Sequence, residues 1–271
     1  MRNFIETGRA FYGAGIVAYG IQQILTGDFR PAILPEFPVW IHKYSVFPYI
    51  TGVALIVAGV IISGLFKIKG INTKKIFLYV GFSFLALIII CHFPYRFIIS
   101  PYKAKHLGVW TDALKELAFS GGAFVMAGSF LENTITVGRN NFFECLLEKL
   151  IPFGRILFSI TMISFGIDHF YYTGTVSAMV PAWFGVPVFW TYFGGVALIG
   201  SGTAIILKIL IRPIGFLLAG MLFLWFIFLH VPHAIADPSV ANGNQIVSAF
   251  DALLFSGVAL VIANIKNAQV K

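Results

Sequence analysis

Histidine and aspartate side chains lie near the ends of several long apolar segments of this sequence. Asp168 and His169 end one segment, His230 and His233 end another, and Asp251 lies about one turn inside a third. An ionisable group in hydrocarbon is costly unless it faces a cavity or a partner, so each is a candidate functional position. Neutral imidazoles ligate metals or haem iron, and a histidine beside a carboxylate can pass protons to a quinone that gains electrons. The residue types leave these chemistries open.

The elements that carry these residues are predicted to be transmembrane helices. The 271 residues are 58% apolar and 11% charged, with a mean hydropathy of +0.88, whereas soluble domains are roughly 45–50% apolar and 25% charged. This excludes a soluble globular protein. A span needs about 20 apolar residues, and eight such runs occur. They cover residues 8–27, 45–66, 75–95, 112–131, 152–172, 187–208, 213–231 and 246–265. We predict an all-α polytopic membrane protein with eight transmembrane helices.

The positive charges indicate the orientation of these spans. Thirteen of the nineteen Lys and Arg residues fall on the side of the membrane that holds both termini, and five fall on the other side. Because Lys and Arg in short loops stay cytoplasmic, we predict cytoplasmic termini. We place the protein in a bacterial inner membrane. The net charge of +8 follows from this loop bias, so it gives no reason to expect nucleic-acid binding.

The two halves of the sequence resemble each other at regular offsets, which is the signature of a repeat. Gly8 and Gly20 recur as Gly154 and Gly166, at an offset of 146. The offset is 143 in the second span, 138 in the third and 136 in the fourth, so the second copy has shorter loops. We predict two parallel tandem four-helix bundles, formed by residues 1–131 and 152–271 and joined by a cytoplasmic linker at 132–151.

The repeat predicts where a site would form. Gln22, Gln23, His92, Tyr95 and Asp112 of the first copy lie at the depth of the histidines and aspartates of the second. Since Gln23 stands where the second copy has His169, only the second bundle is expected to hold a ligand or proton-relay site. We expect it below the loop that contains Pro181 and Trp183. Four ligands for a metal are available there only if the helix ends converge.

The fourth span has three charged residues within five positions, Asp112, Lys115 and Glu116. One interpretation is that Asp112 pairs with Lys115 or Glu116 along one helix face and neutralises it. Another follows from the repeat, because Lys115 corresponds to Asp251 in the second copy. A positive side chain in one copy and a negative side chain at the matched position of the other would suit a contact between the two halves.

Several motifs of the second copy resemble the DoxX family of membrane proteins. They are Gly166-Ile-Asp168-His169-Phe170, Met179-Val180-Pro181-Ala-Trp183 and Trp190-Thr-Tyr192 leading into Gly194-Gly195, together with Leu114-Lys115-Glu116-Leu117 before Gly121-Gly122 in the first copy. The resemblance covers essentially the whole chain as two copies of a four-helix unit. It implies either association with redox enzymes, as in thiosulfate:quinone oxidoreductase, or an assembly or cargo role.

Two hypotheses of different classes follow. In the first, the protein is a membrane subunit of a redox system that binds a quinone or similar ligand, with haem or a metal as alternative cofactors. Its proton-relay residues would be Asp168, His169 and His230. The other ligand-binding candidates are His233, Asp251, Trp183, His92, Gln23, Asp112, Lys115 and Glu116. In the second, it is a non-catalytic scaffold or assembly factor that holds a partner protein. The sequence contains no C-x-x-C and no C-x-x-C-H motif, so it lacks the usual signals of dithiol redox chemistry and covalent haem attachment.

Overall fold

The computed structural model describes residues 2–66, 69–101, 105–130 and 142–265, and every regular element in these ranges is helical. The eight long helices are α1 (Arg2–Thr26), α2 (Val46–Ser63), α3 (Thr73–Leu87), α4 (Thr111–Gly128), α5 (Gly154–Tyr171), α6 (Pro187–Ile206), α7 (Ile211–Trp225) and α8 (Asn244–Ile262). Short helices at Val39–His42, Phe142–Glu148, Thr173–Ser177 and Val231–Ala236 lie between or beside them. The all-α prediction is therefore confirmed for the described part of the chain. The first half of the predicted linker, residues 132–141, lies outside it.

Six helical segments of the described chain are long and apolar enough to cross a membrane. They are Val46–Ser63, Thr73–Ile99, Phe142–Tyr171, Pro187–Ile206, Ile211–Ala236 and Asn244–Ile262. The other two long helices, α1 and α4, are not in this set. Three charged residues lie within the 18 residues of α4, and most of its side chains are buried against protein. A helix that faces protein instead of lipid does not need a continuous apolar surface.

The helices α4 and α8 lie at the centre of the fold and contact each other. Helix α8 also packs on α1 and α7, whereas α4 packs on α3 and α5; α2 covers α1, and α6 covers α5. Each central helix therefore contacts the first helix of the other half. The core is continuous across the two halves, with Phe119 of α4 and Phe255 of α8 in ring contact at 6.0 Å.

Close helix contacts depend on glycines that the repeat matches. A Cβ atom added to Gly8 would lie 2.6 Å from the carbonyl oxygen of Gly257, and one added to Gly121 would lie 2.6 Å from that of Gly154. Gly8 matches Gly154, and Gly257 matches Gly121, so the α1–α8 and α4–α5 contacts use matched residues. Small residues allow this backbone approach in membrane helices.

The helices that carry His92 and His230 both widen into a π-helical turn that ends at the histidine. These turns cover Ile88–His92 and Phe226–His230. The sequence predicts that Pro94 and Pro232 end or kink their helices, because proline lacks an N–H and clashes with the preceding turn. Neither helical segment ends at its proline, because the two segments continue to Ile99 and Ala236. A π turn just before each proline changes the hydrogen-bond register there.

Candidate functional site

A cavity of about 920 Å³ lies in the second half of the chain, between α5, α6, α7 and α8. Its walls are mainly apolar and aromatic, with Met162, Phe165, Trp225 and Phe255 among the lining side chains. Pro181 lines it from the loop between α5 and α6. The volume falls within the range of roughly 300–1,000 Å³ that is usual for small-molecule sites.

Five of the predicted polar residues line this cavity. Asp168 and His169 come from α5, His230 from the π turn after α7, Asp251 from α8 and Lys115 from α4. Four separate helical segments thus present polar side chains to one space. Side chains that lie up to 136 residues apart in the sequence meet there because α4 packs against α8 at the centre of the fold.

His233 and Trp183 lie nearby but are not among the lining residues. The Nε2 atom of His233 is 2.9 Å from the carbonyl oxygen of Met179, so it ties the helix Val231–Ala236 to the loop after α5. Trp183 is 69% exposed, and its ring contacts those of Phe184 and Phe228. His233 and Trp183 therefore lie beside the cavity but do not form part of its wall.

The remaining predicted residues belong to the first half and lie outside the cavity wall. Gln23 is fully buried and donates a hydrogen bond from Nε2 to Thr51 Oγ1 at 2.9 Å. His92 and Glu116 form a separate buried pair, and Asp112 is half-buried at the start of α4. The structure thus does not bring these four residues to the site in the second half.

The surroundings of His169 define which of its nitrogens can serve a ligand. Its Nδ1 atom is 2.7 Å from the carbonyl oxygen of Phe165. A carbonyl oxygen only accepts hydrogen bonds, so Nδ1 carries the proton and the neutral ring presents a lone pair at Nε2. The ring stacks on Trp225, with centroids 5.8 Å apart and planes inclined by 20°. This contact fixes the imidazole plane against an aromatic wall of the cavity.

Two further polar atoms at the cavity have no hydrogen-bond partner among the described residues. They are Oδ1 of Asp168 and Nδ1 of His230, and both are buried. Buried polar groups in native proteins are nearly always hydrogen-bonded to protein, water or a ligand. Both atoms are therefore suited to contact a polar group in the cavity.

The polar floor of the cavity, formed by Lys115 and Asp251, connects the two halves of the protein. Lys115 Nζ lies 2.9 Å from Asp251 Oδ2, and Tyr19 of α1 donates a hydrogen bond to Asp251 Oδ1 at 2.8 Å. The cross-half contact expected from the repeat is present. Lys115 is thus paired with Asp251 and not with Asp112 on its own helix. Packing of α4 against α8 decides between the two interpretations of the charged motif.

His92 and Glu116 form a second buried contact in the first half. His92 Nε2 is 3.2 Å from Glu116 Oε2, and both side chains are fully buried. The position that matches Glu116 is Ala252, which lines the cavity. The second half thus has the small side chain of alanine where the first half has this carboxylate, and that position borders the cavity.

In the first half, the loop after α1 occupies the place that corresponds to the cavity of the second half. Phe29 and Leu34 are buried from this loop and pack on Cys91 and on Leu87. Arg30 is also buried there, and desolvation lowers the pKa of its guanidinium group. At an offset of 138, Leu87 and Cys91 match Trp225 and Leu229, which line the open cavity. The counterpart of the cavity in the first half is therefore occupied by this loop.

Sequence reasoning missed two residues that complete the site, Trp225 and Tyr19. Trp225 lies five residues before His230 in the sequence, which gives no hint that its ring stacks on His169. Tyr19 lies four residues before Gln23 and so shares its helix face, a signal that could have placed it at the polar depth. Among the described residues no group of three or more His, Cys, Asp or Glu side chains is placed to hold a metal ion.

Comparisons of this chain with known protein families, with curated proteins and with solved structures give no match.

Proposed function

We propose that this protein is an integral membrane subunit of a redox system that binds a quinone or a similar small hydrophobic ligand. The observation that carries the proposal is the cavity of about 920 Å³, where mainly apolar walls meet Asp168, His169 and His230. Small-molecule sites combine such walls with a few convergent polar groups. A quinone fits these groups because its carbonyl oxygens can accept hydrogen bonds from His230 Nδ1 and from His169 Nε2 when that ring is protonated, whereas the hydroxyls of its reduced form can donate to the neutral His169 Nε2. The quinone ring can contact Trp225.

Each polar residue has a distinct role in this proposal. His169 holds the ligand against Trp225 and presents Nε2 to a hydroxyl proton. His230 and Asp168 supply the unpartnered Nδ1 and Oδ1 atoms as further hydrogen-bonding positions. A bound quinone supplies two-electron chemistry, and these side chains move the accompanying protons. Asp251, held by Lys115 and Tyr19, fixes the polar floor.

The proposal includes eight spans in two tandem DoxX-like units, with α1 and α4 crossing the membrane as well. At 1.5 Å per residue, the 25 residues of α1 extend about 37 Å, enough to cross a hydrocarbon core of roughly 30 Å. Helix α4 packs along α3, α5 and α8, three helices that belong to apolar membrane-crossing segments. The matched glycine contacts Gly8–Gly257 and Gly154–Gly121 support the duplication.

The proposal is tested by ligand binding to the purified full chain in detergent, with decylubiquinone as the probe and tryptophan quenching as the signal. His169→Leu removes both ring nitrogens, and we expect it to weaken binding by about tenfold, which corresponds to roughly 1.4 kcal/mol. His169→Gln keeps a polar group without a titratable one. It should retain binding but lose most of the pH dependence of binding.

The matched control is His106→Gln, since His106 is exposed in a loop outside the cavity, and its binding should equal that of the unmodified protein. If decylubiquinone does not bind, or binds equally to His169→Leu, the cavity is not a quinone site. Co-purification of a specific protein under those conditions would instead favour the scaffold hypothesis.

A further inference from the structure

The cavity opens sideways through the wall formed by α6 and α7. Phe193 of α6 and Leu217 and Leu224 of α7 line the cavity, and each is also more than half exposed on the outer surface. Helix α7 packs mainly on α8 and only slightly on α6. In a membrane-spanning bundle this outer surface faces lipid, so the gap between α6 and α7 connects the cavity with the bilayer.

Two glycines leave this gap open. Gly200 of α6 and Gly220 of α7 both line the cavity, and a Cβ atom at either position would meet nothing within 4 Å. The adjacent Gly194 and Gly195 of α6 differ, because added Cβ atoms there would lie 2.8 Å and 2.7 Å from the rings of Trp225 and Phe170. Close packing explains the latter pair but not Gly200 and Gly220.

The cavity is long, and its charged side chains and histidines lie toward one end. Its lining on α7 and the following turn runs from Ile214 to His230, seventeen residues whose ends lie about 24 Å apart at 1.5 Å per residue. From Ile214 to Leu229 every lining residue on this segment is apolar or glycine. This long apolar lining suits a hydrocarbon chain that extends away from the polar end.

The charges at the polar end do not favour an anionic head group. The one lysine in the wall, Lys115, is already paired with Asp251 at 2.9 Å, and Asp168 adds a further carboxylate. Arg30 and Asp112 also interact electrostatically with this pair. An anion placed there would therefore meet two cations, Lys115 and Arg30, and three carboxylates, those of Asp112, Asp168 and Asp251. The two histidines of the lining, His169 and His230, suit an uncharged head that donates or accepts hydrogen bonds.

We infer that the ligand is an uncharged lipid with one long hydrocarbon chain, and that it enters from the bilayer between α6 and α7. Its head lies at His169 and His230, and its chain lies along Gly200 and Gly220. This inference rests on the proposed function and deepens it, because it specifies the ligand class and the route of entry.

The experiment compares two probes and three glycine variants of the full chain in nanodiscs of uncharged phospholipid. The probes are decylubiquinone and the same benzoquinone head without its chain. Gly200→Phe and Gly220→Phe fill the open gap, and each should weaken decylubiquinone binding by about tenfold. Binding of the chain-free head should change by less than about twofold. Gly174→Phe is the control, because Gly174 also has open space but lies outside the cavity.

The outcomes separate this inference from the proposed function. If both glycine variants bind decylubiquinone normally while His169→Leu does not, the inference of a chain between α6 and α7 is wrong. The proposal of a quinone site in the cavity is then retained. If neither the glycine variants nor His169→Leu alters binding, both proposals fail. If anionic phospholipid in the nanodisc displaces decylubiquinone more than tenfold better than uncharged phospholipid, the assignment of an uncharged head is wrong.

Discussion

At the scale of single residues, the contact between Lys115 and Asp251 is central to both the site and the core. Both side chains are almost fully buried, and Tyr19 donates a further hydrogen bond to the aspartate. A buried ion pair is not by itself strong evidence of stabilisation, but removal of one partner leaves an uncompensated charge. Removal of one partner is therefore expected to cost more stability than the intact pair contributes.

We predict that Lys115→Met destabilises the protein by about 3–5 kcal/mol, because Asp251 keeps a buried charge without its cation. The exchange Lys115→Asp with Asp251→Lys should recover most of this loss, since the two positions are matched in the repeat. Unfolding by denaturing detergent, followed by circular dichroism, measures both. A double exchange as unstable as the single variant would show that the side chains are not interchangeable across the α4–α8 contact.

At the scale of helices, the close approach of α4 to α5 depends on Gly121 and Gly154. An added Cβ at Gly121 would lie 2.6 Å from the Gly154 carbonyl oxygen, which is backbone and cannot move alone. The two helices would have to separate. By contrast, the open position of Gly200 has no such neighbour, although both glycines are helical.

We predict that Gly121→Ala destabilises the protein by about 1–3 kcal/mol, as overpacking does. Gly200→Ala should leave stability unchanged or raise it by up to about 1 kcal/mol, since alanine restricts the unfolded chain and favours helix. The midpoint temperatures of thermal unfolding in one detergent give the comparison. Equal midpoints for the two variants would contradict the packing role assigned to Gly121.

At the scale of the whole molecule, the orientation in the membrane follows from the distribution of positive charge. We predict that the loop at residues 67–75 is cytoplasmic and the loop at 96–106 is outside. Some of these positions, 67–68 and 102–104, lie outside the described residues, so the test uses Lys69 and Lys105.

The test introduces Lys69→Cys or Lys105→Cys into a Cys145→Ser background, because Cys145 is exposed and Cys91 is buried. An impermeant thiol reagent on intact cells should label the cysteine at position 105 and leave that at 69 unlabelled until the cells are broken. The reverse pattern would place both termini outside.

Sequence alone determined that this chain is helical and apolar enough for a membrane, because composition and run length decide those properties without any knowledge of packing. It also selected Asp168, His169, His230 and Asp251, since ionisable residues within apolar helices are few. Whether their side chains share one space depends on how helices pack across the two halves, and no local pattern encodes that. The tertiary structure decided that Lys115 pairs with Asp251, because α4 contacts α8 at the centre of the fold. It also decided that Phe29 and Leu34 fill the first half while the second half stays open, since loop burial depends on the shape of the bundle that the loop covers.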